Sequence, residues 1–103
     1  MVVPQLVVTE VAYLLQERLG WSAEVRFLGD LVSRNFATEP VLDGDWIRIA
    51  ELVGRYSDLA LGTVDASVIA TAERLWATTV ATLDRRHFSV VRPKHVRAFE
   101  IVP

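Results

Sequence analysis

The chain has 103 residues, 51% of them hydrophobic and 23% charged, with a net charge of −2; this is the make-up of one compact domain, 1–103, and gives no global case for binding nucleic acid. Cysteine is absent, so disulfide frameworks, thiolate metal sites and cysteine nucleophiles are excluded. No apolar run reaches the roughly 18 residues of a membrane span, and the start MVVPQLVVTEVAYLL lacks a basic leader and holds Glu10 within its apolar stretch, so neither a membrane nor a secretory route is expected and the cytoplasm is the expected compartment.

Pro4 to Leu19 reads as a first helix, with a proline in its first turn and Gly20 at its end. Ser22 is placed to cap a second helix reaching about Ser33, with Val25, Phe27, Leu28, Leu31 and Val32 as its apolar residues. FATEPVL is a short extended piece whose proline argues for a strand end or an edge. Asp43 or Asp45 caps a third helix carrying Trp46, Ile47, Ile49, Leu52 and Val53, which ends near Gly54 to Tyr56. After the connector SDLALGT, Thr63 or Asp65 opens a fourth helix running to about Trp76. TTVATL is the clearest strand, β-branched and free of charge, as a parallel strand covered on both faces would be. VRAFEIV is a final strand. Helices alternating with strands give an α/β class with a mainly parallel sheet.

Three acids stand where packing alone would not put them. Glu10 has Leu6, Val7, Tyr13 and Leu14 as helical neighbours, in or beside an apolar stripe where an isolated carboxylate is costly unless paired, protonated or bound to a cation. Asp65 opens the apolar helix ASVIATA and reads either as a cap or as a ligand. Asp84 follows the clearest strand and reads either as a turn residue or as a ligand delivered to the carboxyl end of the sheet, where ligands of open α/β sheets collect. Converging carboxylates repel unless a divalent cation neutralises them, and an all-oxygen donor set points to Mg²⁺ or Mn²⁺.

Charge is also unevenly distributed. Five of the eleven basic residues (Arg85, Arg86, Arg92, Lys94, Arg97) and both histidines (His87, His95) fall between 85 and 97. Such an edge is either a solvated surface or a phosphate attractor. The histidines are too far apart for a metal pair. Trp21, Trp46 and Trp76 have no stacking-platform spacing and are expected in core or interface packing. Ser57 and Ser67 lack a nucleophile elbow, and there is no P-loop or dinucleotide fingerprint.

LVVTEVAYLL, YSDLALGTVDASVIATAERL and VATLDRRHFSVVRP, in this order and spacing, resemble the corresponding blocks of PIN-domain ribonucleases, in particular VapC-type toxins of bacterial toxin–antitoxin pairs. The likeness runs from about Val3 to the C-terminus. It implies a three-layer α/β/α sandwich and a Mg²⁺- or Mn²⁺-dependent endoribonuclease toxin cutting structured RNA such as tRNA or rRNA. It also implies a homodimer and inhibition by a VapB-type antitoxin. Carried over by residue, the resemblance makes Glu10, Asp65 and Asp84 the catalytic metal ligands and Thr82 a supporting hydroxyl. Asp58 matches a frequent acid of the subfamily, although its position also suits a loop cap. Arg85 and Arg86, just past Asp84, would hold substrate phosphates or make surface salt bridges.

Such proteins usually open with an apolar–apolar–Asp–(Ser/Thr) strand and one or two helices before the TEV helix, and that strand supplies the first catalytic aspartate. MVVPQLVV has no equivalent acid. The expectation is therefore an N-terminally truncated PIN-like fold with exposed strand edges, which invite pairing with another chain. The alternative function is a catalytically impaired remnant that binds an antitoxin or itself.

Overall fold

The computed structural model describes residues 2–34, 36–81, 93–94 and 100–102. In chain order these form strand β1 (Val2–Pro4), helices α1 (Gln5–Leu19) and α2 (Trp21–Ser33), strand β2 (Ala37–Glu39), helix α3 (Asp43–Arg55), a 3₁₀ turn (Ser57–Leu59), helix α4 (Thr63–Arg74), and strands β3 (Thr79–Ala81) and β4 (Glu100–Val102). β1 pairs with β2 and β3 with β4, both in parallel, with Val3 opposite Thr38 and Val80 opposite Ile101. Parallel pairing joined through intervening chain is the α/β signature expected from the sequence. The chain divides into two compact bodies, Met1–Val41 and Leu42–Pro103.

In the first body, Pro4 is the last residue of β1 and the cap of α1, so Val2–Pro4 of the apolar opening are strand and the helix begins at Gln5. Proline suits this junction because it has no N–H to leave unsatisfied and its fixed φ is compatible with extended backbone. A single residue, Gly20, separates α1 from α2. Its φ of 91° and ψ of 175° belong to a region that glycine occupies almost alone. Its N–H donates to the Gln16 carbonyl at 3.0 Å, and its own carbonyl accepts from Glu24 at 3.5 Å. Gly20, not Ser22, is therefore the α2 cap.

Helix α2 turns its apolar stripe outward. Trp21, Val25, Leu28 and Val32, spaced four, three and four apart, are exposed, while the partly covered Ala23, Phe27, Asp30 and Leu31 lie on the other side. Ala12 is the one buried residue among those described in this body.

The second body holds the core. Ile49 and Leu52 of α3 are buried with Ala66, Ile69, Ala70 and Ala72 of α4 and with Leu61 of the connector. The small residues of α4 let a neighbouring backbone approach closely, and half of that helix is buried. Each fully buried aliphatic side chain here contributes about 1.5–3 kcal/mol relative to exposure. The buried Ser67 hydroxyl is satisfied locally, donating to the Val64 carbonyl at 2.6 Å. This accounts for Ser67 without a nucleophilic role.

Helix α4 ends unusually. The Ala77 N–H donates to the Ala72 carbonyl at 2.8 Å and the Trp76 N–H to the Glu73 carbonyl at 3.2 Å, the paired bonds of a Schellman motif. The residue that must turn left-handed in this motif is ordinarily glycine. Here it is Trp76, at φ 58°, at a cost of about 1–2 kcal/mol for a residue with a Cβ.

Candidate active site

Asp65 sits in the first turn of α4, three residues after the cap, Gly62, whose φ of −81° and ψ of 168° are extended. Neither Thr63 nor Asp65 is the helix cap, so the capping reading of Asp65 gives way to an acid inside the first turn. A carboxylate there is favoured by about 0.3–1 kcal/mol through the aligned peptide dipoles. Asp65 is partly buried.

Glu10 lies on α1 and is exposed, as are Tyr13 and Leu14 beside it. Of the neighbours that form its stripe, Leu6 and Val7 are partly covered, so Glu10 lies beside the stripe on the exposed side of the helix and is not desolvated by it. Asp58 is exposed in the 3₁₀ turn. Asp84, Thr82, Arg85, Arg86, His87 and His95 lie outside the described residues. Among the described residues no three His, Cys, Asp or Glu side chains gather closely enough to hold an ion. Carboxylate oxygens, the only donors that Glu10, Asp65 and Asp84 would each offer, are of the type that suits a hard divalent cation.

The α3–α4 face carries charged contacts that the residue pattern did not announce. Asp45 is 6% exposed; its carboxylate accepts the Leu42 N–H at 3.0 Å, closing the start of α3 from its third residue. Both oxygens of the same carboxylate lie 3.1 Å from the Arg74 Nε on α4. Arg48 on α3 forks onto Glu73 on α4, Nε to Oε1 at 2.8 Å and Nη2 to Oε2 at 2.9 Å, and also reaches Glu51 at 3.2 Å. The Lys94 N–H donates to Glu73 Oε2 at 2.7 Å, tying a distant segment to α4.

Burial by itself would raise the Glu73 carboxyl, but the hydrogen bonds from Arg48 and from the Lys94 backbone, with the charges of both, hold it below the ordinary range. The same pairing with Glu73 raises the Arg48 guanidinium. These groups fasten α3 to α4, and their burial as pairs explains why so small a core tolerates them. Arg48–Glu51 is a helical i,i+3 pair and is visible in sequence. The other pairs join residues 25 and 29 positions apart, and only the packing of the two helices brings them together. A surface hollow of about 320 Å³ opens at the end of this face, lined by Arg48, Glu73, Arg74, Trp76 and Lys94 among others.

Among the described residues no helix is long and apolar enough to cross a membrane. Residues 1–93 match the PIN domain family. Over its whole length the chain is 34% identical to Ribonuclease VapC26 of Mycobacterium tuberculosis, 76% of which is covered. With parallel strand pairs and helices in the expected order, this chain belongs to the PIN-domain family, in its VapC type.

Proposed function

We propose that the protein is a divalent-metal-dependent endoribonuclease and the toxin of a toxin–antitoxin pair, cutting structured RNA such as tRNA or rRNA. The observation that carries this reading is the end-to-end identity to a VapC ribonuclease, which spans the segments holding Glu10, Asp65 and Asp84. In this reading the three carboxylates hold Mg²⁺ or Mn²⁺. The bound ion would lower the pKa of a water and neutralise charge building on the phosphodiester.

The chain's own residues do the rest. Asp65, in the first turn of α4, offers its carboxylate where the aligned peptide dipoles favour negative charge. In the same reading Arg85 and Arg86 hold substrate phosphates, and Thr82 is a hydroxyl that supports the acidic site. The uncovered apolar side chains of α1 and α2 support the expectation of protein partners, a second copy and a VapB-type antitoxin.

The test is cleavage of total tRNA and rRNA by the purified chain with Mg²⁺ or Mn²⁺, repeated in EDTA and with Asp65→Asn and Asp84→Asn. Cleavage should need the metal and fall by about 100-fold or more in each variant. Undiminished cleavage by both variants would show that the acids are misassigned. Absence of cleavage together with tight antitoxin binding would instead make the chain an interaction module.

A further inference from the structure

We infer that the outward face of α3 is the surface for a second copy of this chain, with the two α3 helices antiparallel about a two-fold axis that passes between Arg48 and Ile49. The inference rests on the second copy expected in the reading above and names its surface. It does not depend on the acidic site.

Helix α3 has two faces. Asp45, Ile49 and Leu52 are buried within the body. Asp43, Trp46, Ile47, Ala50 and Gly54 are exposed together on the opposite side, at helical spacing. Trp46 is 48% and Ile47 68% exposed. A helix covered on one face only would turn charge to water on the other, yet here the residues between Asp43 and Arg55 on that side are apolar or small.

Three features make this face complementary to itself. Its bulky residues, Trp46 and Ile47, stand in the first half of the helix and its small ones, Ala50 and Gly54, in the second. Antiparallel pairing sets Ile47 of each copy opposite Ala50 of the other, and each indole between Ala50 and Gly54 of the other, so bulky meets small twice. The exposed stripe of α2 is bulky along its length and has no such self-complement. Secondly, nothing within the chain calls for glycine at position 54. Its φ is not positive, and a Cβ there would meet no atom within 4 Å. Glycine weakens a helix, so its place here fits the close approach of a partner's side chain. Thirdly, the same pairing sets Asp43 of each copy beside Arg55 of the other, at both ends. Neither forms an ion pair with another described residue. As the first and last residues of α3 they lie about 18 Å apart in one chain, too far to meet each other. This two-fold, self-matching arrangement is that of an isologous interface. One helix pair is small for an interface, so dissociation in the micromolar range is expected.

The experiment is analytical ultracentrifugation of the whole chain from about 0.1 to 200 µM, which brackets that range. The wild type should pass from monomer to dimer. Gly54→Leu should weaken association about tenfold or more by filling the space the partner needs. Its melting at about 0.1 µM should be no lower than wild type, since leucine favours helix and meets open space in the single chain. Asp43→Arg and Arg55→Asp should each weaken association about tenfold, because symmetry makes each act twice. The double variant should return to within about threefold of wild type, because the reversed charges pair again.

A wild type still monomeric at about 200 µM overturns the inference. So does a Gly54→Leu dimer of wild-type affinity, which would place the second copy on another face. A double variant no tighter than the two single ones overturns the antiparallel register. Metal-dependent RNA cleavage by the same samples, with and without Asp65→Asn, reads the nuclease assignment separately.

Discussion

Replacing Glu73 by Gln removes the charge from the most connected contact of the α3–α4 face while keeping its shape. The carboxylate accepts three hydrogen bonds, two from Arg48 at 2.8 and 2.9 Å and one from the Lys94 N–H at 2.7 Å. A bond to a charged group contributes about 1.5–3 kcal/mol, and an amide oxygen cannot serve all three donors. Breaking a buried pair from one side costs about 3–5 kcal/mol, and Arg48 keeps partial compensation from Glu51, so about 3 kcal/mol is expected.

The pH dependence has a fixed sign. Glu73 is depressed below its ordinary 4.5 in the folded state, so its contribution is complete above that value and disappears as pH falls through the folded value. Urea unfolding should therefore show Glu73→Gln less stable by about 3 kcal/mol at pH 7, with unchanged slope, and the gap should narrow in acid. Replacing both partners, Arg48→Met with Glu73→Leu, should recover most of the loss. A single variant within about 0.5 kcal/mol of wild type would refute the argument, since that is the size expected of a surface pair. A gap that widens in acid would refute it equally.

Three further outcomes follow from the same contacts. Leu52→Ala, at a fully buried position, should cost about 2–5 kcal/mol in urea unfolding, whereas Ile47→Ala on the exposed side of α3 should stay within about 0.5 kcal/mol. Gly20→Ala should destabilise by about 1–3 kcal/mol through backbone conformation alone, because a Cβ there meets no atom within 4 Å. Asp45→Ala should cost about 2–4 kcal/mol by removing both the bond to the start of α3 and the partner of Arg74, and circular dichroism should show loss of helix on mild heating.

Much of the fold is legible in the sequence because periodicity and helix ends are local. Within TTVATL, Thr79–Ala81 form a strand that pairs in parallel, and the helix from Asp43 to Arg55 lies where its apolar spacing put it. β1 escaped because three residues are too short to show a period, and a proline at its end reads equally as a helix start. The exposure of Glu10 was not legible for a different reason. Spacing identifies a stripe but not what covers it, and Tyr13 and Leu14 are exposed. The tryptophans, expected in core or interface packing, lie outside the core of the single chain, 72%, 48% and 74% exposed at Trp21, Trp46 and Trp76. Asp45–Arg74 and Arg48–Glu73 required tertiary knowledge. The left-handed Trp76 was hidden because the motif that demands it is normally marked by glycine.

The account rests on Glu10, Asp65 and Asp84 serving one cation, and Mn²⁺ binding followed by electron paramagnetic resonance tests this most directly. The wild-type chain should bind Mn²⁺ and release it to Mg²⁺, and Glu10→Gln, Asp65→Asn and Asp84→Asn should each weaken binding strongly while remaining folded. Wild-type affinity in all three variants would contradict it.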